Sequence, residues 1–221
     1  MTLSDWLNVV QAGSVVVAAV VAARGINTWQ REYIGKRRME LAEEVLAMFY
    51  EARDAIRDVR APFSFGIEGT TRVAGINESP QRKDALDKAY VTVERLKRHQ
   101  ELFAKLFSAR YRFMATFGES AGGPFYELNN RINELHNAAW AYGEYLMTPE
   151  GALMTEQHID EYSQEFLRLG CLLFNVTGED DVFDAKIVAI VDTVDQACRG
   201  VIESHGRKPP IVNTKPRKKD Q

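Results

Sequence analysis

One uncharged run near the amino terminus constrains this chain more than any other feature. It extends from Trp6 to Ala23, and a basic stretch follows it. At about 1.5 Å per residue the run gives a helix about 27 Å long, close to the hydrocarbon thickness of a bilayer, about 30 Å. The run predicts a single transmembrane helix, with Trp6 and Trp29 at opposite membrane interfaces.

Three other interpretations of the run remain open. A signal peptide would need a basic start, which residues 1–5 lack, although Val21, Ala22 and Ala23 resemble a cleavage site. A helix buried in a globular core would also be apolar on all sides. A helix lying on the membrane surface would need a charged face, which this run does not have. The spanning helix is preferred, and the buried helix is the main alternative.

The charges around the run predict its orientation. Residues 1–5 hold no basic side chain, whereas the stretch after the run holds five, namely Arg24, Arg31, Lys36, Arg37 and Arg38. Because cytoplasmic flanks are enriched in Lys and Arg, we expect a single-pass protein of the cell inner membrane of a bacterium. Its amino terminus would lie outside and its main domain would be cytoplasmic.

One sector of the run predicts contact with another helix. Small or polar side chains share this sector, namely Gln11, Ser14, Ala18 and Ala22. Small residues four positions apart let helix backbones approach in lipid, and a Gln side chain can hydrogen-bond a neighbour. The sector therefore favours self-association into a homo-oligomer. An oligomeric pore or effector, lined by this sector, is one function that such an assembly would allow.

Charge divides the 221-residue chain into three parts. Residues 24–38 carry a net charge of +4 and residues 206–221 carry +5, whereas residues 39–205 carry −11. We expect a transmembrane anchor over residues 1–28, a helical bundle over 29–205 and a basic disordered tail over 206–221. The basic ends suit anionic lipid headgroups, and the acidic body does not suit nucleic acid.

Apolar spacing predicts an all-α fold after the anchor. Apolar residues recur three or four positions apart, as on one face of a helix, and no strand alternation persists. The predicted helices number about four to five, and they cover residues 39–60, 81–117, 124–147, a segment ending at 176, and 181–204. Ser79 is the expected cap of the second helix, with Pro80 in its first turn. The class is thus a long-helix bundle.

A stretch without periodicity, residues 61–79, separates the first two of these bundle helices. It contains apolar side chains, namely Phe63, Phe65, Ile67, Val73 and Ile76. Loops of this length in compact domains are often functional. One interpretation is that the loop folds back to cover an edge of the core, and the other is that it binds a partner.

Motifs for catalysis and cofactors are weak. The stretch from Gly118 to Gly122 matches the G-x-S-x-G pattern of hydrolases, but that chemistry needs a strand before the serine, and a helix is predicted there. The chain has no Glu-x-x-His pair and no nucleotide-binding loop, so we expect no metal and no cofactor. Cys171 and Cys198 fall in apolar helical patterns and are expected to be reduced core residues.

One short motif resembles a family of ribonucleases. Arg131 and His136 are separated by four residues inside a predicted helix. This spacing resembles the R-x4-6-H motif of HEPN-type ribonucleases, which are helical bundles that can pair two motifs across a dimer. The resemblance implies that Arg131 and His136 would be catalytic residues acting on the RNA backbone. Ile132 stands where that family usually has a polar residue.

The preferred function is contact with other macromolecules rather than catalysis. We expect a membrane-anchored helical protein that acts through a protein partner or through self-association. The aromatic residues Trp140, Tyr142 and Tyr145 are expected in the core, because aromatic stripes at helical spacing are usually buried. HEPN-like RNA cleavage and pore formation remain alternatives.

Overall fold

The structure is a computed structural model that describes residues 3–64, 66–147, 156–175 and 181–206. The regular elements of this described part are all helices and include no strand, which confirms the predicted all-α class. Its α-helices are α1 (Leu3–Val59), α2 (Pro80–Arg98), α3 (Gln100–Phe117), α4 (Gly123–Met147), α5 (Glu156–Leu173) and α6 (Val182–Gly206). A short 3-10 helix, Glu119–Gly122, lies between α3 and α4. The predicted tail lies outside the described residues from position 207 onward.

The chain divides into two compact units. One comprises Met1–Glu43 and Gly200–Gln221, and the other, called here the bundle unit, comprises Glu44–Arg199. The sequence-based boundaries at residues 28 and 205 stay predictions. Within the described side chains, no helix holds a stretch long and apolar enough to cross a membrane. The side chains of residues 3–12, 16, 156, 157 and 204–206 lie outside the described residues. The predicted membrane-interface residue Trp6 and the predicted helix-contact residue Gln11 are therefore not placed.

The bundle unit has an aromatic centre where α1, α3 and α4 meet. Phe49 and Phe125 are both fully buried, and their ring centroids lie 4.9 Å apart in an edge-to-face arrangement. Phe113 lies 5.6 Å from Phe125. Such ring pairs add to the free energy gained by burying their area. The apolar spacing on each helix therefore places its buried face on this centre.

Close approach of α2 and α4 depends on a glycine. A Cβ atom built on Gly143 would lie 3.0 Å from the Cβ of Ala89 and 3.2 Å from Leu86. These distances are tight, so a larger residue would force the two helices apart. Beside this crossing lies a second core cluster, whose buried members are Val93, Ala138, Ala139, Leu169 and Leu173.

The predicted helix over residues 81–117 is two helices in the structure. Its start is confirmed, since Ser79 caps the backbone N–H of Arg82 at 3.2 Å and Pro80 stands in the first turn. The prediction of one continuous helix is wrong, because His99 has φ −95° and ψ 7° and separates α2 from α3. The His99 ring lies 2.9 Å from the Asp58 carboxylate near the end of α1. No glycine or proline marks this break in the sequence.

Buried Arg60 connects the end of α1 to α5 and α6. Its side chain is fully buried and donates to the carbonyls of Leu172 at 2.7 Å and Cys171 at 2.8 Å. It also pairs with the Asp181 carboxylate at 2.9 Å, and its guanidinium lies over the Phe183 ring. A buried guanidinium needs such a full set of acceptors, since its desolvation is costly. Arg60 is therefore a structural residue of the bundle unit.

Candidate functional site

The loop from residue 61 to residue 79 exposes its apolar side chains. Four large ones are between 80% and 97% exposed, namely Phe63, Ile67, Val73 and Ile76. Phe65 lies outside the described residues. Side chains exposed to this degree contribute almost no area to a core. The interpretation that these four cover an edge of the core is therefore wrong.

Arg95 of α2 fastens the beginning of this loop. Its side chain is buried, and its guanidinium donates to the carbonyls of Ala61 at 2.6 Å and Phe63 at 2.7 Å. It also pairs with the Glu68 carboxylate at 2.7 Å, which in turn accepts from Arg98 at 2.5 Å. Charge-assisted hydrogen bonds of this kind are stronger than neutral ones. The loop backbone is thus held to α2 while its apolar side chains stay exposed.

Arg72 fastens the second half of the loop. It pairs with Glu78 at 2.6 Å and with Asp87 of α2 at 3.0 Å. The hydrogen bond from Arg72 holds the pKa of Glu78 below its usual range. Burial raises the pKa of Asp87, but hydrogen bonds from Lys83 and Arg72 outweigh it and leave that pKa lowered. Both pKa shifts favour the ionised carboxylates, which are the forms that pair with Arg72.

Gly69 lets the loop pass close to α2. Its φ of +84° favours glycine, and a Cβ atom there would lie 1.9 Å from the carbonyl oxygen of Asp87. The Gly69 N–H donates to the Glu94 carboxylate at 2.8 Å. Sequence reasoning missed this anchoring. The available signal was Arg95, a charged residue between Val93 and Leu96 in an apolar stripe.

The amino-terminal part of α1 is exposed at every described side chain from residue 13 to residue 34. The large apolar members are 47–64% exposed, namely Val15, Val17, Val20, Val21, Ile26, Trp29, Tyr33 and Ile34. Three residues of the predicted contact sector, Ser14, Ala18 and Ala22, are exposed as well. So are all five basic residues predicted to flank the membrane, Arg24, Arg31, Lys36, Arg37 and Arg38.

Aromatic and basic side chains share one face of α1 after the uncharged run. The rings of Trp29 and Tyr33 stack with centroids 5.6 Å apart, and the Arg37 guanidinium lies over the Tyr33 ring at 5.3 Å. These residues follow one another at four-residue spacing, so their side chains meet along the helix. Rings with a polar edge beside a cation are the side chains that favour a membrane–water interface.

The two predicted ribonuclease residues lie in different grooves. Arg131 lines a groove between α4 and α5, where it pairs with Glu134 at 2.5 Å. His136 lines an apolar groove beside Phe103 and Ile132, and its ring lies 3.4 Å from the indole nitrogen of Trp140. The structure therefore does not bring the two side chains into one site. Whether they act on RNA stays a prediction.

The groove between α4 and α5, called here the polar groove, has a volume of about 430 Å³. Its walls carry amide and charged side chains over an apolar floor; the lining residues are Asn130, Arg131, Asn133, Glu134, Asn137, Ala138, Ala141, Arg168 and Leu172. Arg168 is paired with Glu165 at 2.5 Å. The sequence signal for this groove was the repeated Asn in a helical segment, which sequence reasoning missed.

The remaining candidate residues are aromatic residues and cysteines, and they differ in how deeply they are buried. Tyr142 stacks on Phe166, and Tyr145 packs on Tyr162, as expected for core aromatics, whereas Trp140 is 46% exposed. Cys198 is buried, which raises the pKa of its thiol to about 11, while Cys171 is exposed, so the prediction that both are core residues is wrong for Cys171. The described residues hold no group of three metal-ligating side chains.

Comparison of the chain with protein-family models, with curated proteins and with solved structures gave no significant match.

Proposed function

We propose that this chain is a single-pass membrane protein of the bacterial inner membrane whose bundle unit acts by contact with a protein partner. The observation that carries the proposal is the exposure of every described side chain from residue 13 to residue 34 of α1. Its first part, from residue 13 to residue 23, holds no charge. Apolar side chains on all faces of a helix suit a hydrocarbon surrounding better than water.

The flanks of this segment support the proposal and its orientation. Trp29, Tyr33 and Arg37 form a stacked aromatic and basic face directly after the uncharged run. The net charge of +4 over residues 24–38 favours the cytoplasmic side for the residues that follow. Anionic headgroups would contact these basic side chains, at about 1 kcal/mol for each Lys or Arg.

The loop supports contact with a protein. Its four exposed apolar side chains are displayed by a backbone that Arg95 and Arg72 already hold in place. A loop ordered before binding pays less conformational entropy when a partner arrives. Self-association through the sector of Ser14, Ala18 and Ala22 is a further contact that the proposal includes.

Fractionation of cells that express the full chain tests the anchor. We expect the chain in the membrane pellet after alkaline carbonate washing and in the supernatant only after detergent is added. Val15→Lys places a charge in the run, which costs about 2.5–3.5 kcal/mol at the centre of a spanning helix, and should release the chain from the pellet. Val15→Leu is the matched control and should stay. Wild-type chain in the carbonate supernatant would contradict the anchor.

The same membranes test the partner contact. A photo-reactive amino acid at Ile76, which is 97% exposed, should give a discrete cross-linked protein band in intact membranes. The same group at Lys88, outside the loop, is the control and should give none. If the chain with the photo-reactive group at Ile76 gave only its own uncross-linked band, that result would contradict the role of the loop.

RNA cleavage finds no support in the position of its two predicted residues. Arg131 is engaged by Glu134, and His136 faces another groove. The HEPN-like hypothesis stays a prediction, and an RNA degradation assay that compares the wild type with His136→Ala would test it.

A further inference from the structure

Three asparagines occupy one wall of the polar groove, in the middle of a long helix. Asn130, Asn133 and Asn137 follow at intervals of three and four residues, so their side chains lie along one face of α4. Asn is a poor residue for a helix interior, because its amide competes with the backbone for hydrogen bonds. These three amides are exposed, and no hydrogen bond joins them to any residue that the structure describes. They weaken α4 without a compensating contact within the described chain.

Small residues form part of the floor of the groove. Ala138 and Ala141 of α4 line it, and such small side chains leave open space that larger ones would occupy. Leu172 of α5 completes the floor. A groove with an apolar floor and a few well-placed polar groups is typical of a binding site.

The charges of the groove are already neutralised. Arg131 pairs with Glu134 at 2.5 Å, and Arg168 pairs with Glu165 at 2.5 Å. An anionic ligand such as a phosphate would have to compete with both carboxylates. No aromatic ring is among the lining residues, so a sugar or a nucleobase has no surface on which to stack. What the groove offers freely is a row of carboxamides, each with donors and an acceptor.

We propose that the polar groove binds the main chain of an extended polypeptide segment of a partner protein. A carboxamide can donate to a peptide carbonyl and accept from a peptide N–H at the same time, because the two groups have the same chemistry. Asn130 and Asn137 are separated by about 10.5 Å along the helix at 1.5 Å per residue. An extended chain advances about 3.3 Å per residue, so this distance matches three residues of such a segment. The site goes beyond the proposed membrane anchor and the loop contact, since it needs neither.

A display library of random linear twelve-residue peptides, selected on the full chain in detergent, tests this site. The test variant is Asn130→Ala combined with Asn133→Ala and Asn137→Ala. Asn129→Ala is the matched control, because Asn129 lies in the same helix but does not line the groove. We expect selected peptides to bind the triple variant at least about tenfold more weakly and the control normally, since three hydrogen bonds are lost. Peptides with N-methylated main-chain amides should also bind more weakly.

Thermal unfolding separates binding from folding. Alanine is the better helix former, so the triple variant should melt at a higher temperature than the wild type. A lower melting temperature would mean that the three amides stabilise the fold, and it would overturn the proposal. Equal peptide affinity of wild type and triple variant would overturn it as well. So would loss of binding to a twelve-nucleotide single-stranded RNA in the triple variant, because the groove would then be a site for nucleic acid.

Discussion

Two segments of the same helix, α1, differ in the burial of their apolar residues. Between residues 44 and 59 five apolar side chains at intervals of three or four are at most 1% exposed, namely Val45, Phe49, Ala52, Ile56 and Val59. Between residues 13 and 34 every described side chain is exposed. The second segment is as rich in Val and Ala as a core, yet it contributes nothing to one within the described residues. Apolar content alone therefore does not define a core.

The difference lies in periodicity. The segment over residues 44–59 alternates its apolar residues with Glu, Asp and Arg, so it has one face to bury and one face for water. Residues 13–23 carry apolar side chains on all sides, so this segment has no charged face to turn toward water. A helix of this second kind has to be surrounded by a partner or by lipid to remove its side chains from water.

The largest expected effect of this contrast is at Phe49. Phe49→Ala removes a fully buried ring that packs on Phe125, and such changes cost about 3–5 kcal/mol. Val20→Ala, in the exposed segment, should change the unfolding free energy of the bundle unit by less than about 0.5 kcal/mol. Urea unfolding of the full chain in a mild detergent, followed by circular dichroism, measures both. A comparable loss of stability in the two variants would remove the contrast.

A smaller effect is expected from added volume. Ala52 is fully buried, and Ala52→Leu should destabilise the bundle unit by about 1–3 kcal/mol, because the surrounding core has no room for the extra atoms. Ala18 is exposed, and Ala18→Leu should leave that stability unchanged. The same urea unfolding measurement tests both variants. Tolerance of Leu at position 52 would show that this part of α1 packs loosely.

Local signals in the sequence were enough to predict much of the fold. The three-four spacing placed the helices of the bundle, and Ser79 with Pro80 marked the start of α2. These features depend on residues that are neighbours along the chain. The break at His99 was not predicted, since its contact with Asp58 joins residues 41 positions apart. Contacts between residues this far apart along the chain produce no periodic pattern in the sequence.

The candidate sites were harder to predict for the same reason. The buried role of Arg60 has no local signal, because its acceptors lie more than a hundred residues later in the sequence. One of the two interpretations of the loop gave its apolar residues a covering role, which Phe63 and Ile76 do not have. Only the structure shows that Arg95 satisfies the loop backbone and leaves these side chains outside.

The smallest expected effect concerns a charge at the end of α1. Arg57 donates two hydrogen bonds to Asp184 at 2.8 Å, and this interaction holds the pKa of the carboxyl below its usual range. A lowered folded-state pKa gives stability that is present above the unfolded-chain pKa, about 3.9, and is lost as the pH falls through the folded-state pKa. Because both side chains are partly exposed, the contribution at pH 7 should be at most about 1 kcal/mol.

Asp184→Asn removes that contribution, so its unfolding free energy should fall below that of the wild type at pH 7 and approach it in acid. Urea unfolding at a series of pH values between 2 and 7 measures the difference. Glu32→Gln, which removes an exposed carboxylate in the other segment of α1, should leave the pH dependence of the bundle unit unchanged. If the two variants showed the same pH dependence, the carboxylate of Asp184 would contribute no more to the fold than an exposed one. The two segments of α1 would then differ in their packing alone, and charge would not contribute to the difference between them.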